Sequence, residues 1–139
     1  AIVALALLPA LGAGAAGAAS AAPAPASRVG VSTLQTQGFG RVLTTTGKQA
    51  LYYWTAEREG QVRCTGACAQ AWPPLIVRRG VKVPGRIPGI RGHFGVVRRP
   101  DGRRQLTHDG RAVYTYANEG PRQVLCDNVN GWFVVRLSG

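Results

Sequence analysis

The chain repeats a motif of strands and turns, and this limits its fold more than any other feature. Leu43-Thr44-Thr45-Thr46-Gly47-Lys48, leading to Leu51-Tyr52-Tyr53-Trp54 and Glu57, is echoed by Leu106-Thr107-His108-Asp109-Gly110-Arg111, leading to Val113-Tyr114-Thr115-Tyr116 and Glu119, with one residue of difference in spacing. Cys64 lies 12 residues after Tyr52 and Cys126 lies 12 after Tyr114. Each cysteine is followed by a tryptophan, Trp72 or Trp132, and an apolar segment. The third cysteine is therefore the repeat-mate of the first, and only Cys68 and the Pro73-Pro74 extension are peculiar to the first half.

The local signals are those of short strands. Val29 to Val42 is rich in Gly, Thr and Gln with β-branched residues, which predicts strand, turn at Gly38, strand. Thr46-Gly47-Lys48 places a turn before Leu51-Tyr52-Tyr53-Trp54, a hairpin signal. Phe94-Gly95-Val96-Val97 reads as a strand leading into the turn Pro100-Asp101-Gly102. Helix is confined to at most one short turn near Ala67–Ala71. The expected fold is all-β or β-dominated. It has two hairpin-based repeats, about 38–77 and 101–137, packed in one small domain over 28–139 and joined by a basic connector from Arg78 to Pro100.

Ahead of the domain, Ile2 to Leu11 is apolar and Gly12 to Ala22 is almost wholly small, with the A-x-A spacing of a signal-peptidase site at Ala19-Ser20-Ala21. Residues 1–27 are thus expected to be a secretory signal peptide and an Ala/Pro spacer. The apolar run is too short to span a bilayer, and no cysteine follows it to be acylated. The expectation is an exported protein that is neither membrane-spanning nor lipid-anchored. Seventeen Lys and Arg against six Asp and Glu give a net charge of +11, so polyanions are drawn to it. Export makes nucleic acid an improbable physiological partner.

Cysteines in an exported protein are most often disulfide-bonded. Cys64 and Cys68 can pair if the Thr65-Gly66 turn is not regular helix, because side chains four apart on a helix stand too far apart for a disulfide. The other pairing open is Cys126 with either of them, stapling the repeats together. The same three sulfurs with His93 or His108 would make a zinc- or copper-type site, but a C-x3-C spacing is a weak metal or redox signature. No catalytic constellation is evident: Asp101, Asp109 and Asp127 occupy turn-like sequence where Asp serves conformation, and His108-Asp109 alone is no triad. Tyr52 with Trp54, and Tyr114 with Tyr116, alternate onto one strand face, suiting either core packing or an aromatic platform for sugars.

These residues resemble the bacterial secreted repeat of unknown function, whose members are often described as lipoproteins with a Yx(F/W/Y)xxD motif. The resemblance covers about residues 38 to 135. It is carried by Tyr52, Trp54 and Glu57, by Cys64 and Cys68 with Trp72, Pro73 and Pro74, by Arg99-Pro100-Asp101-Gly102, and by Tyr114, Tyr116 and Glu119. The chain departs from the motif in three places. Glutamates stand at 57 and 119 for the aspartates, the lipidation cysteine is missing, and His108 replaces the usual tyrosine. The resemblance implies architecture and an envelope address, with no established activity.

The function expected from the sequence is a non-enzymatic, cofactor-free binding or structural module for anionic or glycan components of the cell envelope. Its binding residues, chosen on charge and exposure, are Tyr53, Arg78, Arg79, Arg98, Arg99, Arg103 and Arg104. The alternative is an extracytoplasmic thiol-redox or metal-binding protein built on Cys64, Cys68 and Cys126.

Overall fold

The computed structural model describes residues 24–138 and, before them, residues 3, 6–10, 12 and 14. The signal-peptidase site expected at Ala19-Ser20-Ala21 lies outside the described residues. Among the described residues, no helix is long and apolar enough to cross a membrane.

The domain is built of short antiparallel strands with two helical turns. In chain order these are α1 (Pro25–Val29), β1 (Val31–Thr36), β2 (Gly40–Thr45), β3 (Tyr52–Trp54), α2 (Ala67–Ala71), β4 (Ile76–Val77), β5 (Phe94–Arg98), β6 (Arg104–His108), β7 (Arg111–Ala112) and β8 (Trp132–Val134). The β-dominated fold and the helical turn at Ala67–Ala71 are as expected. A second turn, α1, lies where a flexible spacer was predicted. Pro25 opens it with a preset φ, Gly30 closes it in the left-handed conformation at φ 95, and Ala26 and Val29 pack on the core. Folded structure therefore begins before Arg28.

Hydrogen bonds made by the first half recur in the second. The β1–β2 hairpin pairs Val31 with Thr45 and Gln35 with Arg41, and β5–β6 pairs Phe94 with His108 and Arg98 with Arg104. Leu51 N–H donates to Leu43 O, and Val113 N–H to Leu106 O. The halves also exchange strands. β3 pairs with β8, placing Trp54 opposite Trp132, while Thr115 N–H and Ala117 N–H donate to Pro73 O and Ala71 O. Tyr52 and Tyr114 meet where the halves cross, trading N–H···O bonds of 2.8 and 2.9 Å.

Strand alternation splits the interior into two cores. Leu43, Leu51, Leu106, Val113 and Val135 face an aliphatic core with Val31, Phe94 and Ile87. Their chain neighbours Val42, Tyr52, Ala112, Tyr114 and Val134 face an aromatic one with Trp72 and Trp132. These strands are buried on both faces, which is why they read as apolar runs. In the aromatic core, Trp72 and Trp132 stack at 3.9 Å between ring centroids, 6° from parallel. Trp54 continues the stack beside Trp132 at 5.3 Å, and Tyr116 packs on Trp72 at 4.7 Å, tilted by 37°.

Candidate anion-binding groove

Three strands deliver arginines to one place. Arg98 ends β5 and faces Arg104 at the start of β6. Arg104 in turn lies beside Val77 of β4, and the chain runs straight on from there into Arg78 and Arg79. Between Arg98 and Arg104 the hairpin closes through Pro100-Asp101-Gly102, with Arg99 N–H donating to Arg103 O and Gly102, at φ 85, supplying the conformation the turn needs. The result is a groove of about 650 Å³ lined by Arg78, Arg79, Arg98, Arg103 and Arg104 over Ile76 and Val77.

One acid balances this charge in part. Asp101 accepts from the Arg103 N–H at 2.9 Å and from Arg103 Nε at 2.8 Å. Those two bonds hold its carboxyl below the ordinary aspartate value, so it stays ionised. Among the described residues, Arg78, Arg79, Arg98 and Arg104 have no carboxylate within ion-pair distance. Arg104 Nη1 donates to Arg78 O at 3.1 Å, which ties the β4 end to the hairpin.

Two residues expected at a binding surface lie elsewhere. Arg99 is buried, with only 4% of its surface exposed. Side chains alternate along an extended chain, so Arg98 points to solvent and Arg99 points inward. Its guanidinium donates to Gln105 Oε1 at 2.7 Å and Cys64 O at 2.9 Å, beside the Tyr114 hydroxyl. Arg99 is thus removed from the binding set and instead pins the disulfide loop to the hairpin. Tyr53 lines a second groove with Phe133 and Arg111.

Cys64 and Cys68 form a disulfide with Cα atoms 5.1 Å apart. The helix condition is met because Gly66, at φ 58, precedes α2 and leaves Cys64 outside it. A Cys126 bridge to either partner is excluded: Cys126 is free and buried. Burial, with the Glu119 charge nearby, pushes its thiol above the ordinary value. Among the described residues, no three His, Cys, Asp or Glu side chains are grouped to hold a metal. His93 N–H donates to Asp109 Oδ1, and His108 Nε2 contacts Arg91 O.

The motif aromatics and acids lie in the interior. Tyr52 and Tyr114 are fully buried, and Trp54 and Tyr116 pack half-buried on the aromatic core. Glu57 Oε2 accepts from Arg63 and Cys64 N–H, while Glu119 Oε2 accepts from Leu125 N–H. Desolvation raises the Glu119 carboxyl above its ordinary value, against the lowering effect of the Tyr52 hydroxyl and the Leu125 N–H that donate to it. In comparison with known proteins, no family model matches the chain, and neither a curated protein nor a solved structure matches it.

Proposed function

We propose that this protein is an exported, non-enzymatic module of the cell envelope that holds an oxyanion-bearing polymer in the arginine groove. The observation that carries the reading is the one-sidedness of the charge. The β1–β2 hairpin is the counterpart of β5–β6 in the other half, yet Gln35, Thr36 and Gly40 stand there in place of Arg98, Arg99 and Arg103, leaving Arg41 alone opposite Gln35. After the last strand, Ser138 takes the place of Arg78. A uniformly basic composition would have charged both hairpins alike.

Guanidinium forks suit phosphate and carboxylate oxygens, and an open groove suits a chain that passes through it. A disulfide accords with an oxidising compartment. The metal alternative has less support, since two of its three sulfurs are bonded to each other; a thiol-redox role would rest on that pair, with Cys126 buried away from it.

Titration with poly(glycerol phosphate) over a salt series tests the reading. Binding should weaken linearly in log–log form as salt rises, and should persist in Cys126→Ser. Salt-independent binding, or none at low salt, would refute it.

A further inference from the structure

We infer that a second groove, on the far end of β6 from the arginines, is a subsite for neutral sugar units. It has a volume of about 600 Å³, and its lining includes Tyr53, Asp109, Asp127, Asn128, Phe133 and Arg136. Tyr53 and Phe133 are opposed across β3–β8, with rings 5.9 Å apart and 22° from parallel. The Arg111 guanidinium lies over the Tyr53 ring, 5.3 Å from its centre, so the ring chiefly offered to a ligand is that of Phe133; both rings are half-buried. This gives an aromatic patch on which the flat C–H face of a pyranose can pack.

The polar rim is set in place by the backbone. Asp127 Oδ1 accepts from Val134 N–H at 3.1 Å and Oδ2 from Arg136 Nη2 at 2.8 Å. Asp109 Oδ1 accepts from His93 N–H at 2.8 Å. These carboxylates are oriented before a ligand arrives, which lowers the entropy lost on binding. Asn128, at φ 60, carries an exposed amide beside them.

Charge selects the ligand class. Arg136 is ion-paired with Asp127, and Asp109 offsets the charge of Arg111 in the count without pairing to it, so this groove lacks the excess that suits the arginine groove to a polyanion. Oriented donors and acceptors over an aromatic patch match a polyhydroxyl ligand without charge. The repeat-mates of these residues make the same point: Thr115, Pro73, Thr46, Thr65, Gly66 and Ile76 stand at the positions equivalent to Tyr53, Phe133, Asp109, Asp127, Asn128 and Arg136. No scaffold requirement common to both halves explains the set.

The test is a ¹⁵N NMR titration of the full chain with cellotetraose and chitotetraose, whose β-1,4-linked rings present flat apolar faces. Saturable shifts are expected at the amides of Tyr53, Asp109, Asn128 and Phe133. Phe133→Leu keeps the apolar bulk but removes the aromatic face, and should weaken binding about tenfold. Asn128→Gly keeps the positive φ and should weaken it about fivefold, the loss of one hydrogen bond. Arg78→Ala/Arg79→Ala/Arg98→Ala should leave the sugar shifts unchanged, so failure here and failure of the arginine groove are separately visible. Absence of saturable shifts at these amides up to about 20 mM, well above a millimolar Kd, would overturn the inference, as would affinity unchanged in both groove variants.

Discussion

The Tyr52 hydroxyl donates to Glu119 Oε2 at 2.6 Å, and the mirrored Tyr114 hydroxyl donates to Glu57 Oε2 at 2.7 Å. Each half closes the other's carboxylate, inside the aromatic core, so these bonds report on assembly of the halves. Glu57 Oε1 and Glu119 Oε1 have no partner and are buried, so losing the phenol leaves a desolvated acid with one fewer donor. Tyr52→Phe and Tyr114→Phe should each cost about 1–3 kcal/mol, read as a lowered urea midpoint with unchanged m-value. Effects below about 0.5 kcal/mol in both would contradict the arrangement.

The two phenols predict a loss of stability in alkali. Burial, then the hydrogen bond to a glutamate, pushes both above the ordinary tyrosine value of 10.0. Above pH 10 the unfolded chain gives up protons that the folded chain keeps, so unfolding gains. Stability should fall by about 1.4 kcal/mol per pH unit for each phenol, and the slope should be shallower by that amount in Tyr52→Phe. Glu119, also raised, stabilises most fully below its ordinary 4.5 and loses that contribution as pH rises through its folded value. Urea titrations from pH 4 to 11 in a Cys126→Ala background, which prevents thiol exchange, check both limbs.

The cysteines predict a definite alkylation pattern. The folded protein should take up no label, since Cys126 is buried. The denatured protein should take up one label, and the reduced, denatured protein three. Reducing Cys64–Cys68 opens a short loop, so stability should drop by about 2 kcal/mol on the chain-entropy estimate without loss of the fold. Intact mass and urea melts with and without reductant measure both.

The stacked rings predict a gradient of cost. Trp72, buried between Trp132 and Tyr116, should lose about 3–5 kcal/mol on change to alanine. Trp54 ends the stack half-exposed, and its replacement should cost less than half as much. Thermal melts of the two variants distinguish this graded stack from a uniformly buried one.

Much of the fold was legible in the sequence because it depends on short-range signals. Gly38, Gly47 and Pro100-Asp101-Gly102 mark turns that the chain makes, and the Leu43–Glu57 echo anticipates matched hydrogen bonds. The exchange of partners between halves was not legible, because β3 is as compatible with a local hairpin mate as with β8. The groove arginines could be named from charge and expected exposure, but their meeting in one place was not legible, because it depends on the pairing of β4 and β5 with β6. The fate of Arg99 was not legible either, since charge alone predicts exposure and only strand parity turns it inward. The sugar groove escaped notice because its residues come from four separate segments, and Asp109 and Asp127 were read as serving turn conformation.

The most direct test of the arginine groove compares two variants that lose the same charge. Arg78, Arg79 and Arg98 are exposed in the groove, whereas Arg58, Arg86 and Arg122 are exposed outside it. Affinity for poly(glycerol phosphate) should fall more than about tenfold in Arg78→Ala/Arg79→Ala/Arg98→Ala, with the salt slope reduced by about one per arginine. It should change less than about threefold in Arg58→Ala/Arg86→Ala/Arg122→Ala, where only long-range attraction is lost. Equal losses in the two would mean that net charge alone attracts the polymer, and would contradict a built site.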